Sequence, residues 1–237
     1  MLNELPKKPK KPVNAWGRFW RTQWHCLSRS VTIFVMYLIS GLLGLIVQSL
    51  SYEGTEIYEI VLGCVCIVLG MVLNAPLAFN YGKEAYDFYL TGCLHRKNAA
   101  YGIQTGSDHR TEKEFRWWKG FLIGAYSGLP LVIAGIFAAL PATWSMGETV
   151  LLFVASWAIL PIQWIRLSLF PEWQADTYPA ISGGYAIIMI ILPILVTGIG
   201  YLLGAYTEKV GKQLEKERAE RILEAGKKIS EEQKGKK

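Results

Sequence analysis

Apolar residues gather into five blocks along this chain, 31–50, 58–79, 120–140, 150–169 and 180–203, and polar residues fill the intervals. Each block is about twenty residues long, enough for a helix rising 1.5 Å per residue to cross roughly 30 Å of hydrocarbon. A soluble helix of that length carries a polar face, and these blocks do not. The pattern predicts an all-α fold, a polytopic integral membrane helical bundle of five apolar helices.

The intervals divide the rest of the chain. Residues 1–30 hold a basic tail, PKKPKKP, that has nothing to bury, followed by an amphipathic stretch with Asn14 as its N-cap. Trp16, Phe19, Trp20, Trp24 and Leu27 share one face of that stretch, and Arg18, Arg21, His25 and Arg29 share the other. This spacing predicts a helix lying in the interface, its rings at head-group depth, with Trp16, Trp20 and Trp24 as anchors. The first two blocks form a hairpin (31–79), a polar loop spans 80–119, three further segments fill 120–204, and 205–237 is a charged helical tail.

The loop is expected to begin as a continuation of the second helix, to break at Gly92 and Gly102, and to turn at Gly106-Ser107. Thr111 and Glu114 have the spacing of a capping box, which predicts a helix running through Trp117 and Trp118 into the third block. Those two tryptophans would mark the interface on that side. Gly120, Gly124 and Gly128 follow at four-residue spacing, and Gly200 and Gly204 repeat it in the last block. Small residues so spaced let helix backbones approach closely in lipid, within one subunit or between two in a homo-oligomer.

Charge placement sharpens the topology. Of the 25 Lys and Arg, 7 precede the first block, 7 lie in the loop, 10 follow the last block, and Arg166 stands alone in the fourth. The short connectors carry only acids: Glu53, Glu56, Glu59, Glu148, Glu172 and Asp176. Lys and Arg are retained on the cytoplasmic side during insertion, so the N-terminus and the loop are expected in the cytoplasm of a plasma (cytoplasmic) membrane, near anionic head groups. The first block is too long, and its basic leader too extended, for a cleaved signal peptide. The net charge of +6 is therefore read as membrane-directed; no recognition motif points to nucleic acid.

The fourth block sets two rules against each other. Its length argues for crossing, which makes five spans and puts the basic tail on the far side. Charge placement argues for a re-entrant dip turning at Pro161. Length is taken to decide, and Arg166 then snorkels near the cytoplasmic end of its helix.

No catalytic residue is assigned, because nucleophile-elbow, HExxH and Walker signatures are all absent. No cofactor is expected. Cys93, His95 and His109 are the residues that a metal would use if the loop brought them together, although no pair has a recognised ligand spacing. Cys64 and Cys66 are two apart on a helix and so face different ways. Asn74, Gln163 and Arg166 are the polar groups inside apolar blocks that a solute pathway would use. Three classes remain: a contact protein acting through its loop and tails on a partner, a small transporter or channel component, and a metal-dependent membrane enzyme.

Overall fold

The computed structural model describes residues 15–49, 56–101, 110–140, 142–169 and 178–234. Its elements are α1 (Ala15–Ser49), α2 (Glu56–Ala100), a 3-10 turn (Thr111–Lys113), α3 (Lys119–Ala139), α4 (Trp144–Val154), α5 (Ser156–Leu169), α6 (Tyr178–Met189) and α7 (Ile191–Lys234), with no strand among the described residues. Among the described residues, four helical passages are long and apolar enough to cross a membrane: α1, α2, α3 and the α6–α7 run.

Glycine contacts fix their directions. Gly44 of α1 meets Cys66 of α2, whereas Arg29, four turns earlier, meets Glu84, so the two run antiparallel. Along α3, Gly135 faces Gly183, Gly128 faces Ile190, Gly124 faces Pro193 and Gly120 faces Tyr201, so α6–α7 runs back against α3. Gly200 and Gly204 of α7 seat on Ala78 and Phe79, and Lys212 approaches Asp87, so α2 and α7 run parallel.

The fourth apolar block departs from the expectation. It is no single crossing helix, for α4 and α5 are broken apart at Ala155, whose φ of −114° and ψ of 12° are not helical. At 11 and 14 residues, each piece is only about 16–21 Å long, well short of the hydrocarbon thickness. Gly147 of α4 packs on Phe137 and Ala138, near the finishing end of α3. Trp157 then lies against Tyr37 and Gly41, at the middle of the apolar block of α1, and Leu160 reaches Gly44, farther along. The block thus enters from one end of the bundle, turns at its centre and leaves by the same end. Pro161, where the alternative, re-entrant arrangement put the reversal, stays inside α5. Every residue from 155 to 161 is buried, and the Tyr37 and Trp157 rings, 4.4 Å apart, form the middle of the core.

Three local expectations are also corrected. The amphipathic stretch is no separate interfacial helix, because α1 runs unbroken from Ala15 into the apolar block. No Gly or Pro lies at the junction, and the Ser30 hydroxyl is satisfied by the Leu27 carbonyl at 2.7 Å. Gly92 stays inside α2, since one glycine costs a helix only about 1 kcal/mol and does not end it. The capping box does not form: Arg110 holds the cap position, Glu114 is extended, and α3 starts five residues later at Lys119. The interruption at Ile190, between α6 and α7, has a covalent cause, since Pro193 has no N–H to offer the Met189 carbonyl. Asn14, Gly102 and the Gly106-Ser107 turn lie outside the described residues.

Candidate functional site

Two regions concentrate polar side chains, and they differ in how those groups are satisfied. The first is the end of the bundle where α1 begins, α2 finishes and α3 begins. There Lys119, the first residue of α3, is only 2% exposed. A cation at a helix N-terminus opposes the macrodipole, and burial removes its water. Both costs are offset because its Nζ donates to the backbone carbonyls of Glu112 and Glu114, each at 2.6 Å. The Glu114 carboxylate accepts from Arg96 Nη1 at 2.8 Å, and Phe115 N–H bonds the Ala85 carbonyl at 2.9 Å, so the connector is tied to α2. Arg29 pairs with Glu84 at 2.7 Å and lies over the Tyr81 ring at 4.5 Å, tying α1 to α2. Tyr126 of α3 donates to Gln23 of α1.

Around this girdle lie three surface clefts rich in cations and rings. One, of about 620 Å³, runs between α1 and the connector and is lined by Trp20, Arg21, Trp24, His25, Arg110 and Lys113, among others. A second, of about 380 Å³, brings Arg18, Arg96 and Arg116 together beside Phe19 and Trp118. The third, of about 660 Å³, is walled by Tyr86, Tyr89, Phe115, Trp117 and Tyr206.

The second region is the centre of the bundle. Asn74 is fully buried; its Nδ2 donates to the Gly70 carbonyl at 2.9 Å, and its Oδ1 has no partner. The hydroxyls of Tyr37, Ser156 and Thr197 are buried without partners too. These groups come from α1, α2, α5 and α7, so four elements each bring an unsatisfied oxygen into the core.

The residues singled out from sequence fall as follows. Gly120, Gly124 and Gly128 face α6–α7, and Gly200 and Gly204 face α2, so all five lie at contacts inside the chain. Trp16, Trp20, Trp24 and Trp117 are exposed, and Trp118 is half-buried in the second cleft. Cys93 accepts from Arg96 at 3.4 Å, and His95 follows it on α2, whereas His109 lies outside the described residues. No three His, Cys, Asp or Glu side chains gather among the described residues. Gln163 and Arg166 lie on α5, in the part that has left the bundle centre; Arg166 is three residues from that helix's end. The roles of Lys119, Arg29 and Glu84 were not read from the sequence. Arg29 was placed only on the polar face of the amphipathic stretch, and its pairing with Glu84 joins residues 55 positions apart. Lys119 bonds backbone carbonyls, which no side-chain spacing marks.

Comparison of the chain with protein-family models, with curated proteins and with solved structures returns no match.

Proposed function

We propose that this chain is a non-enzymatic multi-pass membrane protein that works by contact, with the end bearing Arg18, Lys119 and α7 beyond Tyr206 in the cytoplasm. The observation carrying the contact reading is α7 itself. It continues without a break from the bundle, and apart from two half-buried residues, Glu208 and Val210, every described side chain after Ala205 is exposed. Leu214, Ile222 and Leu223 are among them, at 48, 71 and 66%. Its 44 residues make a rod of about 66 Å, roughly twice the hydrocarbon thickness. A rigid rod bearing alternating charges and a few exposed apolar side chains suits a helical or grooved protein partner.

The cytoplasmic assignment rests on charge. With the fourth block turning back, α1 begins, α2 finishes and α7 leaves at one end of the bundle, where the basic stretches of the sequence attach, and the acid-only connectors attach at the other, which supports the assignment. Single cysteines in a chain stripped of its native ones test this: Thr207→Cys should resist a membrane-impermeant thiol reagent until lysis, and Met146→Cys should react in intact cells. The reverse pattern would sink the assignment.

For the contact reading, the full chain should migrate on a native gel in a complex well above its 26.6 kDa, and a chain stopped after Lys209 should insert but migrate alone. Equal migration of the two would overturn it. A second reading, a solute pathway, is favoured by the four unpartnered buried oxygens at the bundle centre. Such groups are costly in an apolar interior and are kept where water or a solute visits.

A further inference from the structure

The cleft between α1 and the connector combines three features that lead to one kind of ligand. It is cationic: Arg21, Arg110 and Lys113 line it against a single carboxylate, Glu112. Neither guanidinium is compensated, for no carboxylate among the described residues lies in ion-pair range of Arg21 or Arg110, whereas nearby Arg29 and Arg96 have theirs. At its back His25 holds a buried Nδ1 with no hydrogen-bond partner.

Its position matters equally. Ser28, one of its lining residues, stands three residues before the first apolar block. From Trp24 through Ser28, exposed positions continue as Val31, Val35, Ile39, Leu42 and Ile46, three or four residues apart along one face of α1. That is a stripe of helix surface facing outward from the bundle. Cleft and stripe are continuous, the one cationic and ring-lined, the other aliphatic.

We propose that this cleft holds the headgroup of an anionic phospholipid whose acyl chains lie along the exposed stripe of α1. Arg21 and Arg110 supply planar donor forks that match a phosphodiester, and Lys113 adds a point charge. Trp20 and Trp24 cover the glycerol level, where indoles are favoured. Lys119 contributes indirectly, since its grip on the Glu112 and Glu114 carbonyls holds the connector wall in place. Glu112 opposes a second negative charge, so the site favours a singly charged headgroup over a polyphosphorylated one. The proposal rests on the chain spanning a bilayer, but on no protein partner.

Native mass spectrometry of the purified full chain tests it, because no partner is present and failure there leaves the contact reading untouched. Phosphatidylglycerol should stay bound under activation that strips phosphatidylcholine of the same acyl chains. Arg21→Gln with Arg110→Gln should weaken its retention about tenfold, the scale of losing charge-assisted phosphate contacts. Arg18→Gln with Arg116→Gln, which removes equal charge from the neighbouring cleft, should change it by less than about twofold. These side chains are exposed, and an unchanged thermal midpoint confirms that each variant is folded. Equal loss in both double variants would show diffuse surface attraction and overturn the site. So would displacement by excess inorganic phosphate, which would mean a free anion, or a lipid-free dimer with a second copy of the chain on the stripe.

Discussion

Blocks 120–140 and 150–169 are nearly equal in length, both apolar, each with a proline near the middle, yet one is a single helix and the other a hairpin. Proline does not decide between them: Pro130 and Pro161 both remain inside helices. What differs is where the small residues stand. In the first block Gly120, Gly124, Gly128 and Gly135 form a stripe, and α6–α7 lies against the whole of it. Only a straight helix uses every contact on such a stripe. In the second block the small residues Ala155, Ser156 and Ala158 are bunched and buried at the turn, where Ser156 meets Gly41 of α1, and Leu160 beyond them meets Gly44. A bunched set rewards a tight turn at that place. A continuous glycine seam thus goes with a span, and a bunched set of small residues with a half-span.

The largest expected effect comes from filling each contact. A Cβ at Gly124 would meet the Ile194 Cα at 2.7 Å, and one at Gly41 would meet the Trp157 nitrogen at 2.6 Å. Both obstacles are backbone and cannot rotate away. Gly124→Leu should cost more than the usual 1–3 kcal/mol or so of overpacking and leave little monodisperse protein, since α3 and α6–α7 must part along their length. Gly41→Leu should displace only the hairpin, leaving a folded chain in which a probe cysteine at Leu151, now 1% exposed, becomes reactive. If Gly41→Leu were as damaging as Gly124→Leu, the hairpin would be part of the frame and the distinction would fail.

A smaller effect separates how the two blocks begin. The third is pinned at its first residue by Lys119, whereas the fourth has no ion pair at its turn among the described residues. Lys119→Met leaves two buried carbonyls without their donor, at about 2–3 kcal/mol for the pair once relief of the buried charge is counted. Hydrogen exchange should quicken over 111–123 and hold steady over 144–169. A matching rise in the hairpin would mean that the girdle supports the whole bundle rather than the start of α3.

The four long passages were legible because twenty-residue apolar runs are a local property, and the glycine spacing was legible for the same reason. The turn at Ala155 was not. Pro161 gave the only local signal nearby, and it pointed six residues too late, because the break depends on Gly41, over a hundred residues away in sequence. The capping box misled in a similar way: Thr111 and Glu114 have the right spacing, but Arg96, from α2, takes the carboxylate. Charge placement, which sums over the whole chain, gave the better guide to the fourth block than its length did. The candidate site was legible only in composition, as basic residues among tryptophans before the first block. Which arginines keep a free guanidinium depends on pairings such as Arg29 with Glu84, 55 positions apart.

The smallest effect bears on what the hairpin is for. Ser156 stands at the turn with a buried, unpartnered Oγ, and Asn74 and Thr197 bring similar oxygens from α2 and α7. If these groups serve packing alone, removing an unsatisfied hydroxyl relieves a desolvation cost, and Ser156→Ala and Thr197→Val should each be neutral or raise stability by up to about 1 kcal/mol. If they hold water or a passing solute, each loses a hydrogen bond and the thermal midpoint falls. A third helix with a stripe of glycines gains nothing from such oxygens, and none of its own hydroxyls is left bare: Ser127 bonds the Gly124 carbonyl at 2.8 Å. The sign of the Ser156→Ala shift, read beside a Ser127→Ala control expected to lose about 1 kcal/mol, therefore decides whether the half-span is a packing solution or a hydrated element. Only the second outcome would move the solute-pathway reading ahead of the contact reading.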